Sequence, residues 1–256
     1  MILLSSGDSL TYGNELSDDS PDRPSSKTWA ANLARHFGLE HDCVAKPGAG
    51  NGHISRALIL RADQLLKENK KFVVAVMWTY NGRIELKVND EWFQLTDFIL
   101  FDSPEEFRAV WPEIGEKYLK TVIDKLETAR SIGYLSLLRD YLKYTVLSGD
   151  YAILRSYQSI YLTAQYLKQH NIPFFFVNGV DQAVGIKKEH KLTDVAPYVN
   201  SFDSADWIDV PSFYEWAKEN KYEIAPHGTH PLDRAHTDYA KLILQTGLVE
   251  TKWQLK

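Results

Sequence analysis

Four short stretches of the 256-residue chain carry side chains able to do chemistry without a cofactor. Gly7-Asp8-Ser9-Leu10-Thr11-Tyr12-Gly13 offers a hydroxyl at Ser9 between small and acidic neighbours. Lys46-Pro47-Gly48-Ala49-Gly50-Asn51-Gly52 offers backbone amides that three alternate glycines leave open to close approach. Thr79-Tyr80-Asn81-Gly82 offers a carboxamide. Pro226-His227-Gly228-Thr229-His230-Pro231 offers imidazoles, and a third follows in Leu232-Asp233-Arg234-Ala235-His236. Hydroxyl, imidazole and amide donors are the parts of nucleophilic acyl chemistry. Each stretch also has a structural use. Gly-Asp-Ser is a good turn, Asn-Gly favours tight turns, and a glycine loop between strand and helix suits a phosphate as well as an oxyanion. The spacing Gly-x-Gly-x-Gly departs from the dinucleotide fingerprint Gly-x-Gly-x-x-Gly.

The elements that position these stretches follow from hydrophobic pattern. Met1-Ile2-Leu3-Leu4 is a short apolar run that predicts a buried strand. Trp29, Leu33 and Phe37 recur at helical spacing, with Gly38 as a stop. A second strand is expected around His41 to Ala45, parallel to the first by the right-handed crossover rule. Ile54, Leu58, Ala62 and Leu65 line a helix with Asn51 as its expected cap. Phe72 to Trp78 is continuously apolar and β-branched, as a central parallel strand should be. Between residues 83 and 150 lies an apparent insertion. It holds a hairpin signal, Ile84 to Val88 and Trp92 to Leu95 about Asn89-Asp90, then helical segments near 113–130 and 134–147. Arg83 and Glu85 are expected to be structural, and an Arg83–Glu85 ion pair is one form that role could take. A helix from Asp150 to His170 leads to a strand at Phe174 to Val177, closed by Asn178-Gly179-Val180-Asp181. Residues 182–209 read as a long loop able to cover a site. Pro231 suits the first turn of a final helix, which leaves His230 at its cap. All four chemical stretches thus fall at carboxyl ends of strands or at one helix start, where open α/β sheets bind their ligands.

Gly-Asp-Ser-Leu-Thr-Tyr-Gly after a first strand resembles block I of the SGNH (GDSL) hydrolases, and the other three stretches resemble their later blocks. The resemblance covers most of the chain. It implies a three-layer α/β/α sandwich with a parallel sheet, flavodoxin-like, formed as one domain over residues 1–256 with the insertion at about 83–150. It implies Ser9 as nucleophile and His230 as base. It assigns the oxyanion donors to the amides of Ser9 and Gly48, with Gly50 as neighbouring candidate, and to the side chain of Asn81. The implied activity is hydrolysis of a short acyl ester, such as an O-acetyl group on a carbohydrate, with no metal or organic cofactor. The chain departs from the family in block III, with Thr79 and Gly82 where Gly and Asp are usual. It departs again in block V, where His227 stands at the position of the Asp that orients the base. An imidazole cannot do that carboxylate's work, so a Ser-His dyad of modest activity is expected in place of a full triad, with His230 held by a backbone carbonyl, water or a carboxylate from elsewhere, for which Asp233 and Asp181 are the candidates. His236 is expected to be a helix residue. Arg83-Ile84-Glu85 and the hairpin also resemble a subgroup found in tailed phages.

Composition narrows the alternatives. A net charge of −5 gives no electrostatic case for nucleic acid. One cysteine, Cys43, excludes an internal disulfide and a Cys-based zinc cluster. No apolar run reaches membrane-spanning length, so no membrane association is expected. No leader pattern precedes the first strand, which makes the cytoplasm the default location, or a virion for a phage-type protein. Two other classes remain: a phosphate- or nucleotide-binding protein, and a non-catalytic carbohydrate-binding or virion module that keeps the fold. The Gly-x-Ser-x-Gly elbow of the α/β-hydrolases is absent.

Overall fold

The computed structural model describes residues 1–88, 91–95, 103–110, 150–181, 204–226 and 230–253, with Tyr198 and scattered positions between 120 and 140. The helical segments expected at 113–130 and 134–147, the covering loop over 182–203, and His227 lie largely or wholly outside the described residues.

Four parallel strands form the central sheet. β1 (Ile2–Ser6) lies inside it, with β2 (Glu40–Cys43) on one side and β3 (Phe72–Trp78) on the other. The fourth strand of the sheet, Phe174–Asn178, pairs with the far side of β3. Ile2 stands opposite both Glu40 and Phe72, so the carboxyl ends of the strands align along one edge. β2 is polar, Glu40-His41-Asp42-Cys43, and starts one residue before the expected position. A charged edge strand resists further strand pairing.

The apolar runs are continuous because both faces of the sheet are covered. Leu3, Val73, Ala75, Met77, Phe175 and Val177 pack on one side. Their partners come from α2 (Trp29–His36) and from the C-terminal half of the chain. Leu4, Val74, Val76, Trp78, Phe174 and Phe176 pack on the other side, against α3 (Asn51–Lys67) and the helix Asp150–Gln169. The architecture is therefore a three-layer α/β/α sandwich with a parallel sheet.

The predicted hairpin is present as β4 (Ile84–Val88) and β5 (Glu91–Leu95), antiparallel, with Ile84 opposite Leu95. It precedes α4 (Pro104–Val110), α5 (the helix Asp150–Gln169) and β6 (the strand Phe174–Asn178). The hairpin is fastened to α3 through Glu85, whose carboxylate meets His53 at 3.2 Å and Arg56 at 3.0 Å. Burial pushes the Glu85 carboxyl up, but hydrogen bonds from His53 and Arg56 outweigh it and hold it below its ordinary range. After β6 come α6 (Phe213–Glu219), α7 (Asp233–Gln245) and α8 (Leu248–Trp253). No helix among the described residues is long and apolar enough to cross a membrane.

The chain leaves β1 to β2 in one direction and returns past it to β3 in the other. That reversal opens a crevice at the carboxyl ends of β1 and β3, the usual place for a ligand in such sheets.

Candidate active site

Ser9 opens a one-turn helix, α1 (Ser9–Tyr12), directly after β1. Asp8 caps it, accepting a hydrogen bond from the Leu10 amide at 2.9 Å. Gly7 is required by space: a Cβ there would lie 2.1 Å from the Thr11 hydroxyl oxygen. Gly13 ends the turn with φ +90°, a conformation that favours glycine. Ser9 itself is 8% exposed.

Asp8 does more than cap the helix. Its second carboxylate oxygen accepts from the Thr79 hydroxyl and from the Arg83 guanidinium, each at 2.6 Å. Arg83 also lies over the Tyr80 ring, 4.9 Å from its centroid. The Arg83 backbone carbonyl fills the space where a Cβ on Gly50 would sit, 2.1 Å away. Asn51 then clamps the Thr79 backbone, accepting from its amide at 2.9 Å and donating to its carbonyl at 3.0 Å. Three loops, after β1, β2 and β3, are thus locked to one another at the sheet edge. This corrects two expectations. Arg83 and Glu85 pair with other partners, not with each other. Asn51 is not the cap of α3, which is Gly50; its amide is committed across the crevice.

Gly48 has φ +72°, and the Lys46 amide two residues earlier donates to the Gly7 carbonyl at 3.2 Å. The glycine loop is therefore tied to the loop that bears Ser9. Asn81 occupies a turn in which the Arg83 amide donates to the Tyr80 carbonyl at 3.4 Å. Its side-chain oxygen is buried and has no hydrogen-bond partner among the described residues.

His230 reaches Ser9 from the far end of the chain. Its Nε2 lies 2.8 Å from the Ser9 Oγ, and its Nδ1 lies 2.6 Å from a carboxylate oxygen of Glu15. With a carboxylate facing Nδ1, the proton sits on that nitrogen and Nε2 is left to accept from the hydroxyl. His230 is not at a helix cap. It stands in a short antiparallel pairing in which the Ala225 amide donates to the His230 carbonyl at 2.8 Å and the Leu232 amide donates to the Glu223 carbonyl at 3.0 Å. α7 starts only at Asp233, and Pro231 serves as a bridge partner of Ile224.

Neither carboxylate expected to hold His230 does so. Asp233 accepts from the Ser17 amide at 3.0 Å, the Ser17 hydroxyl at 2.6 Å and Lys27 at 2.8 Å. Burial would raise its carboxyl, but the hydrogen bonds from Lys27 and Ser17 carry it down to about 2. Asp181 accepts from the Ser212 hydroxyl at 2.6 Å. Glu15 takes the place instead, from the loop after α1. Its φ is +64°, a left-handed conformation costing a side-chain-bearing residue on the order of 1–2 kcal/mol. The Asp19 carboxylate holds the strained turn by accepting from the Glu15 amide at 3.0 Å.

The whole segment 14–27 is a strap over the site edge. Asp18 accepts from the Ser25 and Ser26 hydroxyls and, at 2.9 Å, from the Ser26 amide. Those bonds outweigh the effect of burial and keep its carboxyl below the ordinary range. Asp233 ties Ser17 and Lys27 down from the start of α7. Rich in Ser, Asp and Pro and without periodicity, the strap has the sequence of an exposed loop. Its one signal is the acidic run Glu15, Asp18, Asp19 and Asp22, set six to thirteen residues after Ser9.

His236 is buried and neutral. Burial drives its imidazole down to about 3, with the nearby His230 adding to the effect. Its Nδ1 accepts from the Trp29 amide at 3.1 Å, and its ring also hydrogen-bonds to the Pro231 backbone. It braces the residue next to His230 rather than standing idle in the helix. Among the described residues no cluster of three or more His, Cys, Asp or Glu is placed to hold a metal.

No protein-family model matches the chain, and no curated protein matches it. Among solved structures it is similar to a carbohydrate esterase family 2 enzyme with a carbohydrate-binding domain from Corynascus thermopiles (Myceliophthora fergusii). The identity is 14%, the TM-score 0.43, and the alignment covers 96% of this chain and 65% of that one. It is also similar to a protein of the G-D-S-L family, described as lipolytic, from Desulfitobacterium hafniense. There the identity is 14%, the TM-score 0.30, and the coverage 94% and 98%. The chain spans about two thirds of the length of the first of these. Likenesses this distant say nothing about which residues act or on what.

Proposed function

We propose that the chain is a serine ester hydrolase of the SGNH type, acting on a short acyl ester. The observation that carries the reading is the 2.8 Å contact between Ser9 Oγ and His230 Nε2 at the carboxyl edge of β1. Two residues 221 positions apart meet in the geometry of a nucleophile and its base. The block-by-block resemblance of the sequence to that family supports the same roles.

In this mechanism the Ser9 hydroxyl gives its proton to His230 Nε2 as Oγ attacks the acyl carbonyl carbon. The protonated imidazole then gives that proton to the departing alcohol oxygen. Water, deprotonated by the same nitrogen, attacks the acyl-serine; the carboxylic acid leaves and the Ser9 hydroxyl is restored. The amides of Ser9 and Gly48 and the side chain of Asn81 are the proposed donors to the oxyanion. The bonds made by Asp8, Asn51 and the Lys46 amide support this assignment, because together they fix the loops bearing all three. The substrate is proposed to be an O-acetyl group on a carbohydrate, since the inserted segment carries two Trp and four Tyr and aromatic faces suit sugar rings. Acetate release from acetylated xylan checks that part.

The reading of a non-catalytic module drew on the missing carboxylate at position 227. Glu15 beside His230 Nδ1 removes that support. The deciding experiment is Ser9→Ala assayed on p-nitrophenyl acetate, with a fluorophosphonate probe as a direct label of the nucleophile. Activity should fall by about 10⁴-fold or more and labelling should vanish, with the melting temperature retained. Turnover within about tenfold of the parent sinks the assignment.

A further inference from the structure

We infer that the acid that orients the base has moved in this chain, from the segment just before the histidine to the loop just after the nucleophile, where Glu15 performs it. The inference rests on the hydrolase reading above and adds a positioning residue that acts through His230.

Four observations converge on it. The Glu15 carboxylate lies 2.6 Å from His230 Nδ1, the short distance of a charge-assisted bond. The side chains of both are largely shielded, 18% and 12% exposed, so the carboxylate faces the imidazolium through little water. Of the non-glycine residues described with positive φ, Asn69, Asn171 and Lys221 each follow a helix of seven or more residues. Glu15 is left-handed within the strap, and the Asp19 carboxylate on its amide holds that conformation. Finally, Asp233 and Asp181 are spent on Ser17, Lys27 and Ser212.

The chemistry follows from the position. Glu15 keeps the proton on Nδ1, so Nε2 is always the acceptor that Ser9 requires. It then stabilises the positive ring that forms when Ser9 gives up its proton. A longer side chain reaching from the strap replaces a shorter one reaching from the histidine's own loop. Nucleophile and acid consequently come from one contiguous stretch, residues 9–15, and only the base is recruited from afar.

The test is Glu15→Gln, which keeps shape and removes charge, beside Glu15→Asp and Asp181→Asn. The expected kcat on p-nitrophenyl acetate falls by about 10²–10⁴-fold for Glu15→Gln, with KM within about threefold. Glu15→Asp should keep at least about tenfold more kcat than Glu15→Gln, and Asp181→Asn should stay near the parent. One-dimensional proton NMR gives a readout that does not depend on turnover. The downfield Nδ1 proton of His230, assigned by its loss in His230→Ala, should move upfield in Glu15→Gln. A Glu15→Gln enzyme within about threefold of the parental kcat, or one whose downfield proton does not move, overturns the inference. If Ser9→Ala keeps the parental rate, the hydrolase reading fails, and the proton resonance still decides whether Glu15 holds His230.

Discussion

The strap and the histidine segment meet at one imidazole but are built by different means. The strap, residues 14–27, has some backbone bonds of its own but is fastened mostly by side chains: carboxylates of Asp18, Asp19 and Asp233 gather hydroxyls, amides and Lys27. In the histidine segment, residues 223–226 and 230–232 are held by backbone pairing and by the buried ring of His236. Side-chain bonds at a half-exposed edge are replaceable, whereas a buried ring bonded to two backbone groups is not. The difference teaches where tolerance lies. His230 is set from below by a buried ring, and Glu15 is brought to it by a more forgiving loop.

The largest effect expected on either region is at the contact itself. His230→Ala should cost about 10⁴-fold in kcat, as removal of a triad base does, while the melting curve stays near the parent. Steady-state kinetics and calorimetry on the same preparation check both halves. A live His230→Ala would mean that the two regions do not meet functionally.

Next comes His236→Ala. It removes a fully buried ring and strands the Trp29 amide, so about 3–4 kcal/mol of stability should be lost. Chemical denaturation measures the loss, and kcat per folded molecule should change far less than in His230→Ala. A destabilisation below about 1 kcal/mol would show the histidine segment to be as forgiving as the strap.

Acid should act on the same region first. His236 is held neutral down to about 3 and His41 down to about 4, both through burial. An unfolded histidine titrates near 6.5. The unfolded state therefore binds more protons between those values, and stability must fall as pH drops below about 6.5. Asp233, low at about 2, loses its contribution only as pH falls from about 4 toward 2. Melting temperature should thus decline from pH 6.5 downward, before the strap's ion pairs are protonated. A flat profile between pH 6.5 and 4.5 would contradict the burial of the two rings.

The smallest effect belongs to the strap. Lys27 is exposed, and its ion pair with Asp233 is one of several fastenings. Lys27→Met should leave kcat within about twofold and be little felt by the fold. A larger drop in kcat would show that the strap's grip on Glu15 depends on that one cation.

What was legible in the sequence follows the same division. β3 was plain because seven consecutive apolar residues can only be buried on both faces. The pairing of Ser9 with His230 came from the family resemblance, and the place of Ser9 at the sheet edge came from the apolar run before it. β2 was placed by topology, since its four polar residues carry no hydrophobic signal. Glu15 was not legible, because nothing in a run of Ser, Asp and Pro marks one carboxylate as facing an imidazole. Its left-handed backbone depends on Asp19 and on Gly13, which pattern alone does not reveal. Pro231 misled for a related reason: proline suits a bridge edge as well as a helix start, and the residues that decided between them, Glu223 to Ala225, lie six to eight positions earlier in the chain.

The inner position of β1 in the order β2-β1-β3-β6 bears on how the chain emerges during synthesis. The first three strands are complete by Trp78, but the strand that covers the outer edge of β3 is made about a hundred residues later. At ordinary translation rates that edge waits on the order of ten seconds for its partner. Throughout that interval the nascent sheet presents a bare hydrophobic strand to every neighbour on the ribosome. His230 arrives later still, so that edge is made well before the contact between Ser9 and His230 can form.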